Sequence, residues 1–186
     1  MTSSTATSAD DVFVNCPFDE DYKPIFDALI FTIFACEFRP RSALELEDAS
    51  QPRIEKLYGI IGECRFGIHD LSRTELDPQN GLPRFNMPLE LGIFLGAKKF
   101  GEDAQRQKRC LVLDVDRYRY QRFISDLSGM DIREHGGEVD NAVACVRNWL
   151  ANVSRRRLPG ARLIQGAYAD FVSKKPADRR RSRVRA

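Results

Sequence analysis

The chemistry of this chain concentrates in Arg84-Phe85-Asn86-Met87-Pro88-Leu89-Glu90-Leu91-Gly92, where an amide and a carboxylate open a segment that otherwise reads as buried. Met87, Leu89, Leu91, Ile93, Phe94, Leu95 and Ala97 surround Glu90 with apolar neighbours. A carboxylate in such company must find a partner, shift its pKa or do chemistry. Shortly before it, Phe66-Gly67-Ile68-His69-Asp70-Leu71-Ser72 is an apolar run that ends in polar groups, so Asp70 is delivered to a strand end. Asp19 and Asp48 follow two further short runs in the same way. Fixed carboxylates of this kind suit a reaction centre that gains positive charge in its transition state.

The elements that must position these groups follow from pattern. Val12–Asn15 reads as a first strand that passes into a loop at Cys16-Pro17-Phe18-Asp19, and Asp21–Phe38 as a helix with Pro24 in its first turn. Arg41–Leu46 is expected as a second strand leading to Glu47-Asp48. Pro52 then opens a helix whose Ile54, Leu57, Tyr58, Ile61 and Cys64 share one face. Phe66–Leu71 is a third strand, Met87–Phe100 a third helix and Cys110–Asp114 a fourth strand with the continuous apolar character of a doubly covered sheet. A short helix over Arg119–Leu127, a fifth strand at Asp131–Arg133 and a helix over Glu138–Val153 complete the series.

This alternation predicts a single-domain α/β fold, with a mainly parallel sheet of four or five strands and helices on both faces, flavodoxin-like in class. Ligands of such sheets bind beyond the carboxyl ends of the strands. The loops that carry Asp19, Asp48, Asp70, Asn86 and Glu90 then share one rim.

Length and composition narrow the function classes. At 186 residues, 42% hydrophobic and with 12 Phe, the chain suits one globular domain. Ile25–Phe38 is too short and too charged for a bilayer span, and Met1–Asp10 lacks the basic and apolar segments of a signal peptide. Five widely spaced cysteines without a CxxC pair read as reduced thiols, so the expectation is a cytoplasmic protein with no metal site and no membrane partner. The domain is expected over 11–153, between a disordered leader at 1–10 and a partly disordered basic extension at 154–186. That extension carries Arg155–Arg157, Lys174, Lys175 and Arg179–Arg181. A solvated tail is the favoured reading of it, and nucleic-acid contact the less favoured one. Gly59-Ile60-Ile61-Gly62 lies within a helical pattern and lacks a following lysine, which argues against a phosphate-binding loop of the ATPase type.

With Asp70 at a strand end followed by Asn86-Met87-Pro88-Leu89-Glu90-Leu91-Gly92, the chain resembles the nucleoside 2-deoxyribosyltransferase-like and Toll/interleukin-1 receptor (TIR)-like superfamily. Many bacterial members of that superfamily carry Asn-Pro-Asn-Val-x-x-Glu-Leu-Gly or a near variant at this place. The present chain departs from it by Phe85-Asn86-Met87-Pro88-Leu89 before Glu90-Leu91-Gly92. The matched order of elements spans roughly Val12 to Val153.

The resemblance implies a nucleoside or nucleotide ligand and cleavage or transfer at its N-glycosidic bond, with NAD and deoxynucleosides as the two substrate classes. NAD would then be a substrate, and no cofactor is implied. Glu90 would attack or stabilise the anomeric carbon, Asp70 would assist, and Asn86, Asp19, Asp48, Phe18 and Arg84 would hold the substrate. Phe18 would do so by stacking on a base, and, apart from the resemblance, the place of Arg84 near a helix N-terminus suits a phosphate. The resemblance also implies assembly with further copies of the chain. Its alternative is a non-catalytic TIR-like nucleotide-sensing or oligomeric signalling module, a class with roles in bacterial defence.

Local physics offers structural readings beside these. Asn86 as an N-cap and Glu90 in the first helical turn would be favoured by the helix dipole, by roughly 0.3 to 1 kcal/mol for the acid. A solvated loop residue is the favoured reading of Arg84, and His69 and His135 read as structural groups.

Overall fold

The computed structural model describes residues 8–45, 51–76 and 81–174. Five strands, β1 (Ser8–Asn15), β2 (Arg39–Ser42), β3 (Cys64–Asp70), β4 (Arg109–Asp114) and β5 (Ile132–Glu134), form one sheet in the order β2-β1-β3-β4-β5. All four pairings are parallel. The fold is therefore the doubly covered α/β type, consistent with the flavodoxin-like class. Its strand order reverses between β1 and β3, whose C-terminal ends carry Asn15 and Asp70.

Helices α1 (Lys23–Ala35), α5 (Val139–Ser154) and α6 (Ala161–Lys174) cover one face, and α2 (Arg53–Glu63) and α3 (Asn86–Phe100) the other. A short α4 (Asp103–Arg106) follows α3. Strand alternation divides the core accordingly. Val12, Val14, Phe66 and Ile68 pack against α1 and α5, while Phe13 packs with Phe94 and the apolar face of α2. Each such fully buried side chain contributes roughly 1.5 to 3 kcal/mol through removal from water. A third cluster of Leu71, Met87, Leu91 and Val112 fastens the start of α3 to the ends of β3 and β4. That cluster holds the Asn86–Glu90 turn over the sheet.

Several boundaries differ from expectation for identifiable reasons. β1 begins at Ser8, inside the expected leader, and Asp10 is tied to Arg156 by an ion pair. β2 runs over Arg39–Ser42 rather than to Leu46, because Glu45 folds back to accept the Ser42 N–H at 2.8 Å and stops the strand in a 3₁₀ turn. Its register is set by charge: buried Asp11 takes a two-pronged contact from Arg39 at 2.6 and 2.7 Å and a third from Arg41 at 3.1 Å. Pro40 is tolerated because β2 is an edge strand. Arg119–Leu127 forms two 3₁₀ turns instead of a helix. The largest departure is α6, within the expected basic extension: Ile164 and Tyr168 are buried in the core, and Tyr168 donates to the Pro24 carbonyl at 3.1 Å. The spacing of Leu163, Ile164, Ala167, Tyr168 and Phe171 is helical and was a readable signal. No helix among the described residues is long and apolar enough to cross a membrane.

Candidate functional site

Asp70 closes β3 and is fully buried, yet it is satisfied on both oxygens. Its Oδ2 accepts the Tyr22 hydroxyl at 2.6 Å and His135 Nε2 at 3.0 Å, and its Oδ1 accepts the Ser72 N–H at 2.8 Å. Burial pushes the carboxyl up, but these donors outweigh it and hold Asp70 below the usual aspartate range. The same environment, burial first and then the Asp70 charge, pushes the Tyr22 phenol well up.

The proton on His135 is located by its other nitrogen. Nδ1 accepts the Gly137 backbone N–H at 3.0 Å, so Nε2 carries the hydrogen in the neutral ring. Ser72 Oγ lies 2.9 Å from that same Nε2. Ser72, His135 and Asp70 therefore do not form a nucleophile triad, which needs the serine and the acid on opposite ring nitrogens. His135 supports Asp70 and has no lone pair to offer Ser72.

The opposite face of β3 carries His69. Asn15 Nδ2 donates to His69 Nδ1 at 3.1 Å and to the Met87 carbonyl at 2.9 Å, which pins the first turn of α3 to the end of β1. His69 Nε2 is buried without a partner among the described residues, and the ring lies edge-on to Phe94 at 5.0 Å. Burial, assisted by the Lys108 ammonium, pushes its pKa down to about 3, so the ring stays neutral. Lys108 is itself buried, donating to the Ile61 and Cys64 carbonyls over the Phe94 ring.

Glu90 is 5% exposed, and no hydrogen bond or ion pair reaches its carboxylate among the described residues. Burial pushes its pKa up to about 7, with Arg53 opposing only in part. The helix-dipole explanation fails on geometry. α3 starts at Asn86 itself, preceded by Phe85 with no side-chain cap bond, and its first turn holds no acid. Glu90 stands in the second turn, beyond the reach of the terminal N–H groups. Asn86 is exposed rather than capping. Cys16 is a buried thiol pushed well up, by burial first and then by the charges of Asp70, Glu90 and Asp19. It is an inert thiol that marks how near the three acids stand.

The remaining expected residues are scattered around this centre. Asp19 accepts the Tyr22 N–H at 2.9 Å and Arg73 at 3.1 Å, so it organises the β1–α1 loop. Phe18 is exposed and edge-on to Phe26 at 5.5 Å. Arg84 is exposed. Asp48 lies outside the described residues, as do Lys175 and Arg179–Arg181.

No protein-family model matches the chain, and no curated protein matches it as a relative. The site has to be read from its own geometry.

Asn15, Cys16, Tyr22, Ser72 and Asp114 were not singled out by the sequence as site residues. Asp114 ends β4, is buried, and leaves Oδ2 without a partner among the described residues. Burial pushes its pKa up, against the Arg119 guanidinium that contacts Oδ1 at 2.7 Å. Its position at the end of a strand run was the available signal. Tyr22, Ser72, Arg73 and His135 line a rim cavity of about 220 Å³. That is smaller than the roughly 300 Å³ lower bound of ordinary small-molecule sites, and its wall includes Asp21 and Glu75 but neither Glu90 nor Asp70.

Proposed function

We propose that this chain binds a nucleoside or nucleotide at the C-terminal rim of its sheet and cleaves or transfers the N-glycosidic bond, with Glu90 as the carboxylate at the anomeric carbon. One observation carries the reading: Glu90 is 5% exposed, takes no hydrogen bond or ion pair from the described residues, and is pushed up to about 7 by burial that the Arg53 charge offsets only in part. A carboxyl that titrates near 7 can ionise as positive charge develops on a sugar beside it, which stabilises the transition state more than the ground state. As the C–N bond breaks, its electron pair leaves with the base. Water or an acceptor hydroxyl then bonds to the anomeric carbon and passes its proton to the Glu90 carboxylate, whose own proton went to solvent as the bond broke.

The state of Asp70 bears on the substrate. Both its oxygens are engaged, so it orients the rim rather than protonating a leaving group. A base that departs without a proton, such as the nicotinamide of NAD, fits this arrangement better than a deoxynucleoside base. The resemblance to the nucleoside 2-deoxyribosyltransferase-like and TIR-like superfamily supports the same reading, and the five free cysteines fit a cytoplasmic setting. Incubation of the purified protein with NAD and with a nucleoside panel, followed by chromatography of released base, tests it. Release is expected with wild type and lost with Glu90→Gln; equal release by the two proteins overturns the assignment.

A second reading, an assembling signalling or sensing module, is favoured by the exposed apolar side chains Leu82, Phe85 and Leu89 beside the site. Such a face suits a second copy of the chain. Light scattering should then show an oligomer that Phe85→Asp reduces to monomer.

A further inference from the structure

The opposite end of the sheet carries a cleft unrelated to the rim. β5 pairs with β4 only along Val112–Asp114, so the edge of β4 near Cys110 and Leu111 is left open beside α5. A cavity of about 550 Å³ fills the gap, with Cys110, Leu111, Met130 and Trp149 in its wall beside the ion pair of Asp131 and Arg133. Asn152 and Val153 are shared with a second cavity of about 470 Å³, lined otherwise by Arg65, Arg109, Ser154 and Arg155. A mixed compartment with an aromatic wall therefore adjoins a cationic one.

Three arginines line this end of the cleft, Arg65 half-buried and Arg109 and Arg155 exposed, and Arg109 Nη1 donates to the Lys108 carbonyl at 3.2 Å. No acidic residue lines their end of the cleft, and none of the three makes an ion pair among the described residues. Arg65 Nε is buried with no hydrogen-bond partner among the described residues, while its guanidinium lies 5.4 Å from the Phe66 ring centroid. Arg155 ends α5 in the left-handed region at φ 56, a conformation costing a non-glycine residue about 1 kcal/mol. Like charges so gathered repel, and an anion with several oxygens relieves them through two-pronged guanidinium contacts. The neighbouring Trp149 and the side-chain amide of Asn152 suit a planar, hydrogen-bonding body attached to that anion.

We infer that this cleft binds a nucleoside polyphosphate, its base against Trp149 and its phosphates on Arg65, Arg109 and Arg155. The two compartments together match one anion that carries a planar group, whereas a nucleic-acid strand needs a longer phosphate track than three arginines supply. The site is independent of the rim and of Glu90.

Trp149 is the single tryptophan of the chain and reports on the cleft directly. The full chain is titrated with metal-free ATP, followed by Trp149 emission and by calorimetry, with adenosine and inorganic pyrophosphate in parallel. Saturable quenching of Trp149 by ATP is expected, tighter than with either fragment and weakened about tenfold or more in Arg65→Gln and in Arg109→Gln. Arg109→Lys should recover only part of it, and circular dichroism checks that each variant is folded. The proposal is overturned by undetectable ATP binding or by unchanged affinity in both folded glutamine variants. Pyrophosphate binding as tight as that of ATP removes the nucleoside, and an oligonucleotide outcompeting ATP at equal phosphate replaces the ligand with nucleic acid.

Discussion

His135 donates its Nε2 hydrogen to Asp70 across 3.0 Å, joining residues 65 apart in sequence at the ends of β3 and β5. The donor role follows from the Gly137 N–H on the other ring nitrogen. This contact makes Asp70 the fixed centre of the rim.

Replacing Asp70 by Asn puts an amide hydrogen among groups that all donate. Asp70→Asn is expected to cost about 3 kcal/mol of stability by urea unfolding. Asp70 titrates lower in the folded than in the unfolded chain. Its contribution is therefore complete above the unfolded value and lost as pH falls through the folded one. Wild type should show acid-induced loss that the variant lacks; identical acid profiles would remove Asp70 from this role.

Glu90 works with the opposite sign. Its pKa is raised from 4.5 to about 7, so the folded state holds an extra proton between those values. Wild-type stability should fall as pH rises through this window, by up to about 3 kcal/mol. Glu90→Gln should match wild type near pH 4 and exceed it at pH 8, while losing base release. Unfolding curves that stay parallel at all pH values would contradict the burial argument.

Ser72 is expected to ignore serine-directed reagents, because His135 presents it with an N–H rather than a base. Intact-mass spectrometry after treatment with a fluorophosphonate should show no adduct on folded protein. Stoichiometric labelling lost in Ser72→Ala would mean that His135 holds the other tautomer.

Gly67 allows α3 its approach to the sheet: an added Cβ would stand 2.8 Å from both the Phe94 ring and His69 Nε2. Gly67→Ala is expected to cost about 1 to 3 kcal/mol. By displacing α3 it should also lower base release, with Glu90 itself intact. A stable, fully active variant would show that Glu90 does not depend on this contact.

Much of the fold was legible because strand and helix periodicity are local properties. β3, β4, α2, α3 and α5 fall within one or two residues of their apolar patterns. The end of β2 was not, since a side chain three residues on stops it. The apolar stripe of α6 is flanked by basic residues, which mask it in the sequence. Of the site, Glu90 and Asp70 were visible as acids in apolar runs. His135, Tyr22 and Asn15 were not, since their meaning lies in partners 54 to 72 residues distant for Asn15 and 65 for His135.

By itself, then, the order of residues determined a parallel α/β sheet and set Glu90 and Asp70 at its carboxyl rim, because burial patterns and strand ends are written along the chain. Only the tertiary structure decided which acid is satisfied and which is not. Hydrogen-bond partners come from other strands and loops, and they hold Asp70 ionised among donors while leaving Glu90 buried without one.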